Sequence, residues 1–461
     1  VTDPAVSNKK RILNRRQILK GALGIGACMS AFPLTKAQAL KRDVDVIVIG
    51  AGVAGMTTAQ ALVQEGYDVL VLEAKDTIGG RLKTDWSLGA PFEVGAGWIH
   101  GPVGNPITDL AKSVQAKSFV TDDDSSLVFD HKGGEVEDKI ITNKFKDLMR
   151  VYKKIDGTFD SDQSLEKAIK RVSPQTLEDP VSRWMLSAYT EFDTGGPIEN
   201  LSAYYFDEDE AFDGADVVLL DGYDSILEPL ADKVDVLLNH PVDHIEYEAG
   251  DGVTVHANGE AFEAYVVVCT CPLGVLKSKK VKFSPALPSR IQKKIDRLGM
   301  GNVTKAALKF ESAFWPIDTQ YFGVMTEDKG RWNYFLNYRT FSDENILLGL
   351  SVGAYAGKIE QLPEKDIVDD CMMVVRDMFG VDISEPINFQ VSRWSKDPYS
   401  LGAYSYTRVG NKPADFDGFT DPVEDTLIFA GEHTTFKHHA TVHGAYLSGL
   451  RAAEQVMELI E

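Results

Sequence analysis

Three glycines, Gly50, Gly52 and Gly55, stand between two apolar runs, Val46–Ile49 and Val69–Leu72, and Glu73 closes the second run. Strand, glycine turn, helix, strand, acid is the order that cradles a dinucleotide. Gly50 permits the tight turn, Gly52 lets the backbone approach a pyrophosphate, and Gly55 lets the helix pack closely on the strand. Ala54 falls in the first turn of that helix, where free N–H groups and the positive end of the helix dipole face the phosphates. Glu73 is placed to accept both hydroxyls of an adenosine ribose. Beyond it, Ala74 leads to a second glycine pair, Gly79 and Gly80, and then to Arg81. That cation can reach the same pyrophosphate.

A nicotinamide cofactor needs no such second element, and the arrangement resembles the FAD-binding proteins of the flavin amine oxidase group. Four later segments make the resemblance specific. Phe92-Glu93-Val94-Gly95-Ala96-Gly97-Trp98-Ile99-His100-Gly101-Pro102 is similar to the "GASWIHG" segment of polyamine oxidases and lysine-specific histone demethylases. Gly301–Lys305, Arg393–Tyr406, and Phe429–Thr434 with Ala440–Ala445 are similar to later segments of the same families. The likeness runs from Asp43 to the C-terminus and is weakest between Asp122 and Ser202.

The resemblance implies FAD as cofactor, touched by Gly50, Gly52, Ala54, Gly55, Glu73, Ala74, Gly80, Arg81, Gly97, Trp98, Val242, Trp394, Gly431, Glu432, Thr441 and Val442. Glu432 would reach the ribityl or pyrophosphate part, the backbone of Val242 would read adenine, and Trp394 would pack on the flavin. Ala403 stands where monoamine oxidases carry the cysteine that attaches flavin covalently, so the FAD is expected without a covalent link. For catalysis the resemblance implies Lys305 near flavin N5, assisting reoxidation by oxygen. It implies Tyr404 as an aromatic wall over the substrate amine and His100 as a hydrogen-bond partner of substrate nitrogens. Thr441 stands where many monoamine oxidases have a second wall tyrosine, so the cage is half open, as in some polyamine oxidases and the demethylases.

The chemistry accounts for these residue types. An amine is oxidised by hydride transfer from its α-carbon to flavin N5, and only the neutral amine has the lone pair that drives it. Deprotonating an alkylammonium with a lysine-like pKa costs about 4–5 kcal/mol at pH 7. An apolar, aromatic pocket lowers that cost by disfavouring the charged form. Alternation around Val303 and Ala307 puts Lys305 on a face with apolar neighbours, where a buried cation would stabilise developing superoxide. The expected products are an aldehyde or ketone, a released amine and hydrogen peroxide. Three alternatives are a dehydrogenase that passes electrons to a periplasmic carrier, an L-amino-acid oxidase, which needs an arginine facing the flavin, and a redox-inert flavin-binding or partner-recognition protein.

The elements that must hold these residues come in separated pieces. The expected fold is α/β: a Rossmann-type FAD-binding domain in three pieces, 40–121, 235–300 and 390–461, with an inserted α+β substrate-binding domain at 122–234 and 301–389. Within it, runs on either side of Gly250-Asp251-Gly252 predict a hairpin, 364–379 an amphipathic helix, Thr426–Ala430 a buried strand and Val442–Glu461 a helix. Length (461 residues), 44% hydrophobic and 25% charged residues suit two large cores. The net charge of −21 is the reverse of a nucleic-acid binder's balance and mildly favours cationic amine substrates. The acidic run Asp207–Glu210 is either a solvated face or a grip on distal ammonium groups.

Arg15-Arg16, an apolar stretch from Gly21 to Phe32 and Ala37-Gln38-Ala39 read as a bacterial twin-arginine export signal over 1–39, hence a periplasmic or secreted protein. Its removal takes seven basic residues and one acid and leaves −27. The stretch is too short to span a bilayer, so no stable membrane insertion is expected. Cys269, Cys271 and Cys371 read as small buried apolar residues. His433, His438, His439 and His443 crowd together, but no cysteine or carboxylate pattern completes a tetrahedral set, so no metal is expected there.

Overall fold

The computed structural model describes residues 43–248 and 252–460. The N-terminal segment 1–39 therefore lies outside the described residues.

The first apolar run forms the strand Asp43–Ile49, paired in parallel with Val69–Leu72 on one side and Glu260–Cys269 on the other. Asp235–Leu237 extends the parallel part beyond Val69–Leu72, and Leu427–Phe429 pairs with Glu260–Cys269. These strands read as continuous apolar runs because helices cover one face and a second layer the other. Antiparallel strands Val242–Glu248 and Gly252–Ala257 complete the eight-stranded sheet with Lys282–Ser284 at its edge. The helices Val53–Gln64 and Val442–Ile460 cross on the sheet at very short range: a Cβ at Gly449 would come within 2.5 Å of the Ala54 carbonyl oxygen.

A second, six-stranded sheet runs Asn388–Val391, Val303–Lys309, Ile346–Val352, Tyr334–Asn337, Tyr321–Val324 and Ser126–Phe129. Helix Glu364–Phe379 packs its Ile367, Val368, Cys371 and Met372 against Ala306 and Leu308 of this sheet. Helices Asp138–Ile155 and Leu165–Val172 share a separate core with Trp184 and Leu201. The architecture is an α/β dinucleotide domain of Rossmann type joined to an α+β domain.

One stretch differs from the sequence reading. Residues assigned to the inserted domain as part of 122–234 divide. Val217, Leu219, Tyr223, Ile226, Leu227 and Leu230 pack in one core with Val53, Met56 and Leu62, so 217–230 is built into the dinucleotide layer. The stretch after Asp122 contains the strand Ser126–Phe129, which shows no alternation of its own and pairs with Tyr321–Val324 far along the chain. The predicted hairpin, the helix 364–379, the strand near 426–430 and the C-terminal helix all stand in the structure. Cys269, Cys271 and Cys371 are buried free thiols. No helix of the described residues is long and apolar enough to cross a membrane.

Candidate active site

The glycine turn forms as the sequence requires. A Cβ at Gly55 would lie 1.9 Å from the Gly50 carbonyl oxygen, so only glycine lets helix and turn meet. Gly52 N-caps the helix without a side-chain cap, and no acid sits in its first turn. That leaves the first N–H groups to an external anion. The second glycine pair closes on the first: Gly52 bridges Gly79, a Cβ on Gly80 would lie 3.3 Å from the Gly52 Cα, and the Gly79 N–H donates to the Ala51 carbonyl at 2.8 Å. The result is a groove of bare backbone at a helix N-terminus.

Glu73 is buried at the end of its strand, and its carboxylate accepts the N–H groups of Ala51 at 2.6 Å and Lys75 at 2.8 Å. A carboxylate has about four acceptor positions, so capacity for a diol remains. The Glu73 backbone bonds to Leu237 and His240, which brings the segment leading to Val242 alongside it. Ala74 is half-buried next in the chain. Arg81 is fixed by Glu432 at 2.9 Å and by the Ala403 carbonyl at 2.8 Å. The other Glu432 oxygen accepts from the Ser405 hydroxyl at 2.6 Å and the Ala440 N–H at 3.0 Å. Burial pushes the Glu432 carboxyl up, but Arg81, His433 and Ser405 outweigh it and hold it at about 2. Glu432 therefore acts through Arg81, rather than facing the groove with free oxygens. The Gly431 N–H donates to Ser448 on the last helix at 2.8 Å. Thr441 accepts the Gly444 N–H at 2.9 Å and donates to the His438 carbonyl at 2.8 Å. It thereby caps the helix that begins at Val442 and aims that helix end.

Lys305 lies on the second-domain strand Val303–Lys309 and is 5% exposed. Its ammonium donates to the carbonyls of Glu93 at 2.9 Å and Gly95 at 2.6 Å and stands 5.4 Å from the Trp98 ring centre. A Cβ at Gly97 would lie 3.2 Å from Lys305 Nζ, so the glycine admits the lysine. Burial draws the Lys305 ammonium below its ordinary range against the opposing pull of Glu93. Burial likewise lifts the Glu93 carboxyl, although it accepts the Tyr223 N–H at 2.8 Å and the Thr84 hydroxyl at 2.9 Å. A cavity of about 20 Å³ lies between Lys305, Glu93, Gly97, Trp98 and Tyr338, room for about one water. On the other side of this loop, Trp394 donates from its indole to the Val94 carbonyl at 3.0 Å and lies 5.2 Å from Lys75 Nζ.

The aromatic wall continues outward. Trp98 meets Phe192 edge to face at 6.2 Å, and the Tyr404 hydroxyl donates to the Phe192 carbonyl. One turn of π-helix, Leu186–Glu191, delivers Phe192 and then Asp193. Such a turn shifts the register of the side chains that follow it and recurs at functional sites. Its end is anchored by buried Glu191, paired with Lys329 at 2.6 Å.

Beyond the aromatic wall the surface turns acidic. His100 Nδ1 pairs with Asp216 at 2.6 Å, and the Gly101 N–H donates to the other Asp216 oxygen at 3.0 Å. His100 and Asp193 are exposed to solvent but set among protein atoms, so enclosure as well as neighbouring charge acts on them. That enclosure lowers the His100 pKa, but Asp216, Asp193 and Asp123 outweigh it and the net shift is upward. The Asp193 carboxyl is raised to about 7 by the same enclosure, opposed by His100 and reinforced by Asp209, Asp207 and Asp216. The acidic run is thus divided. Asp207 and Asp209 act on Asp193, whereas Glu210 pairs with Lys437 at 2.6 Å on the exposed side. Asp193, Asp216, Phe192 and Glu93 were not selected from sequence.

The crowded histidines are occupied by packing. His438 stacks on Phe212 at 5.5 Å, His443 meets the same ring edge to face at 5.1 Å, and His439 stacks on Phe436 at 5.9 Å.

The family model described as "Flavin containing amine oxidoreductase" matches residues 53–457. The chain belongs to the flavin-containing amine oxidoreductase family. Among its relatives, polyamine oxidase 5 of Oryza sativa subsp. japonica is 33% identical over 434 residues, covering 89% of this chain and 87% of that protein. Lysine-specific histone demethylase 1 homolog 2 of Arabidopsis thaliana is 34% identical over 441 residues, covering 90% of this chain and 58% of that protein. A solved putrescine oxidase bound to putrescine shares the fold, with a TM-score of 0.73 at 20% identity over 90% of this chain and 99% of its own. The cofactor of this amine oxidoreductase is FAD. The residues present fit it: an uncapped helix N-terminus and bare glycine groove for the pyrophosphate, Glu73 for the ribose, and Arg81 held by Glu432 beside the groove.

Proposed function

We infer that this chain is an FAD-dependent oxidase of di- and polyamines. FAD, when bound, supplies a hydride acceptor and passes the electrons on to oxygen. The observation that carries the substrate class is a row of aromatic side chains, Trp98, Phe192 and Tyr404, next to the acidic group Asp193, Asp216 and Asp207 beside His100; this acidic group is read as the vestibule through which the substrate enters. An amine beside the aromatic row meets apolar and aromatic groups that favour its neutral, reactive form. The other ammonium groups of the same molecule meet carboxylates. A small monoamine has nothing to offer the second region, and the carboxylate of an amino acid would be repelled by it.

Lys305, fixed by two carbonyls next to a water-sized cavity, holds positive charge where oxygen is reduced. Net reaction converts an amine, oxygen and water to an aldehyde, hydrogen peroxide and the released nitrogen group, a primary amine from a secondary amine or ammonia from a primary one. Oxygen uptake and peroxide release by purified holoenzyme with spermidine support the oxidase. Reduction of the flavin without oxygen uptake would instead favour a dehydrogenase. Because Ala403 cannot bond covalently to flavin, acid precipitation should release all yellow colour to the supernatant, and a coloured pellet would contradict non-covalent binding. The twin arginines support export as a folded holoprotein. Unchanged export of the Arg15→Lys, Arg16→Lys double variant would rule that out.

A further inference from the structure

On the outer face of the dinucleotide domain, His244 and Glu246 lie two residues apart on the strand Val242–Glu248, so they point the same way. His256 on the neighbouring antiparallel strand stands directly opposite His244. Their imidazoles stack with centres 5.3 Å apart, and both reach the same carboxylate oxygen. His256 Nε2 is 2.9 Å and His244 Nδ1 is 3.5 Å from Glu246 Oε1. Bonds of about 2.0–2.1 Å to one ion place neighbouring donor atoms about 2.9 Å apart in octahedral and about 3.4 Å apart in tetrahedral geometry. The two separations span that range. His244 Nε2 lies 2.8 Å from the Ser284 hydroxyl on a third strand. A hydrogen bond at the far nitrogen orients the ring and leaves Nδ1 to coordinate.

We propose that His244, Glu246 and His256 form a binding site for a divalent transition-metal ion of the zinc, nickel or copper class, with Ser284 as its supporting hydrogen-bond partner. Two imidazoles and a carboxylate match the donor preference of these ions, with water completing the coordination. The ion ties two strands of the sheet, Val242–Glu248 and Gly252–Ala257, across their solvent face, and the Ser284 hydrogen bond adds the edge strand Lys282–Ser284. The site shares its strand with Val242, whose backbone is expected to read adenine, but uses only side chains of the solvent face, and its role is structural.

Chelator-treated holoenzyme titrated with Zn²⁺ in a calorimeter should bind one equivalent and gain in Tm. His244→Ala and His256→Ala should each abolish or weaken that binding more than tenfold. Ser284→Ala should weaken it roughly tenfold, the effect of losing an outer hydrogen bond to a ligand. The mild His256→Gln replacement repeats the test if an alanine variant folds poorly. Absence of one-equivalent binding, or binding that survives both histidine replacements, would overturn the site.

Discussion

The cofactor side and the substrate side of this site are built on opposite electrostatic plans. On the cofactor side the central ion pair is saturated: Glu432 is held at about 2 by Arg81, His433 and Ser405, and Arg81 also donates to the Ala403 carbonyl. Glu73, itself lifted by burial, takes two backbone N–H groups and keeps acceptor capacity for a diol. On the substrate side the charges are left in tension. Asp193 is lifted to about 7, Glu93 is lifted and Lys305 is lowered, all chiefly because protein encloses them. A permanently bound dinucleotide calls for a fixed frame. In the proposed reading, a passing cation is met by carboxylates whose charge the arriving ammonium completes, and oxygen reduction is served by a cation kept out of water.

The comparison breaks most severely at Arg81. Arg81→Ala leaves Glu432 buried without its partner, and removing one member of such a pair costs about 3–5 kcal/mol. The variant should lose flavin on gel filtration and melt at lower temperature. Full flavin content and an unchanged Tm would show that the cofactor side is not the saturated frame described here.

Lys305→Met is expected to come next. It removes a contact of about 3–4 kcal/mol to developing charge, or roughly 100- to 1000-fold in reoxidation by oxygen. The anaerobic reductive step and flavin content should change far less. Stopped-flow traces of the two half-reactions separate these outcomes, and normal reoxidation would remove Lys305 from the oxygen reaction.

Asp193→Asn sharpens the contrast. Losing a hydrogen bond to a charged group of about 1.5–3 kcal/mol should raise KM for spermidine roughly 10- to 150-fold, with little change for a monoamine. Equal change for both would reduce the vestibule to a solvated face. The same variant carries the smallest expected effect, on stability. A carboxyl raised to about 7 in the fold binds more protons there than in the unfolded chain. Its contribution is complete below its unfolded value of about 3.9 and fades as pH rises through about 7. Asp193→Asn should therefore gain Tm relative to the parent at pH 8, and the gain should shrink by pH 5. A pH-independent difference would contradict the raised carboxyl.

The two sides also differ in how far the sequence displays them. Gly50 to Glu73 is a local pattern, because glycine, helix and acid act within one strand–helix–strand unit. Lys305 was legible from alternation on its strand together with the motif around it. Asp216 reaches His100 across 116 positions, and Glu93 acquires its role from the backbone of Tyr223, 130 positions away. No spacing rule announces either. The strand Ser126–Phe129 and the π-helical turn before Phe192 escaped for the same reason: tertiary partners, not local periodicity, select them. Segment 217–230 read as substrate domain because helical patterning does not say which core it enters. His244, Glu246 and His256 were within reach, since the hairpin was predicted and its register alone brings them to one face. The group near His433 is denser in sequence, yet its rings pack on aromatic side chains.

Anaerobic mixing of the holoenzyme with spermidine, and separately with benzylamine, tests the central claim most directly. Spermidine should bleach the flavin absorbance rapidly and saturably, and benzylamine slowly or negligibly. Flavin that stays oxidised with every di- and polyamine offered, or that bleaches faster with benzylamine, would contradict that claim.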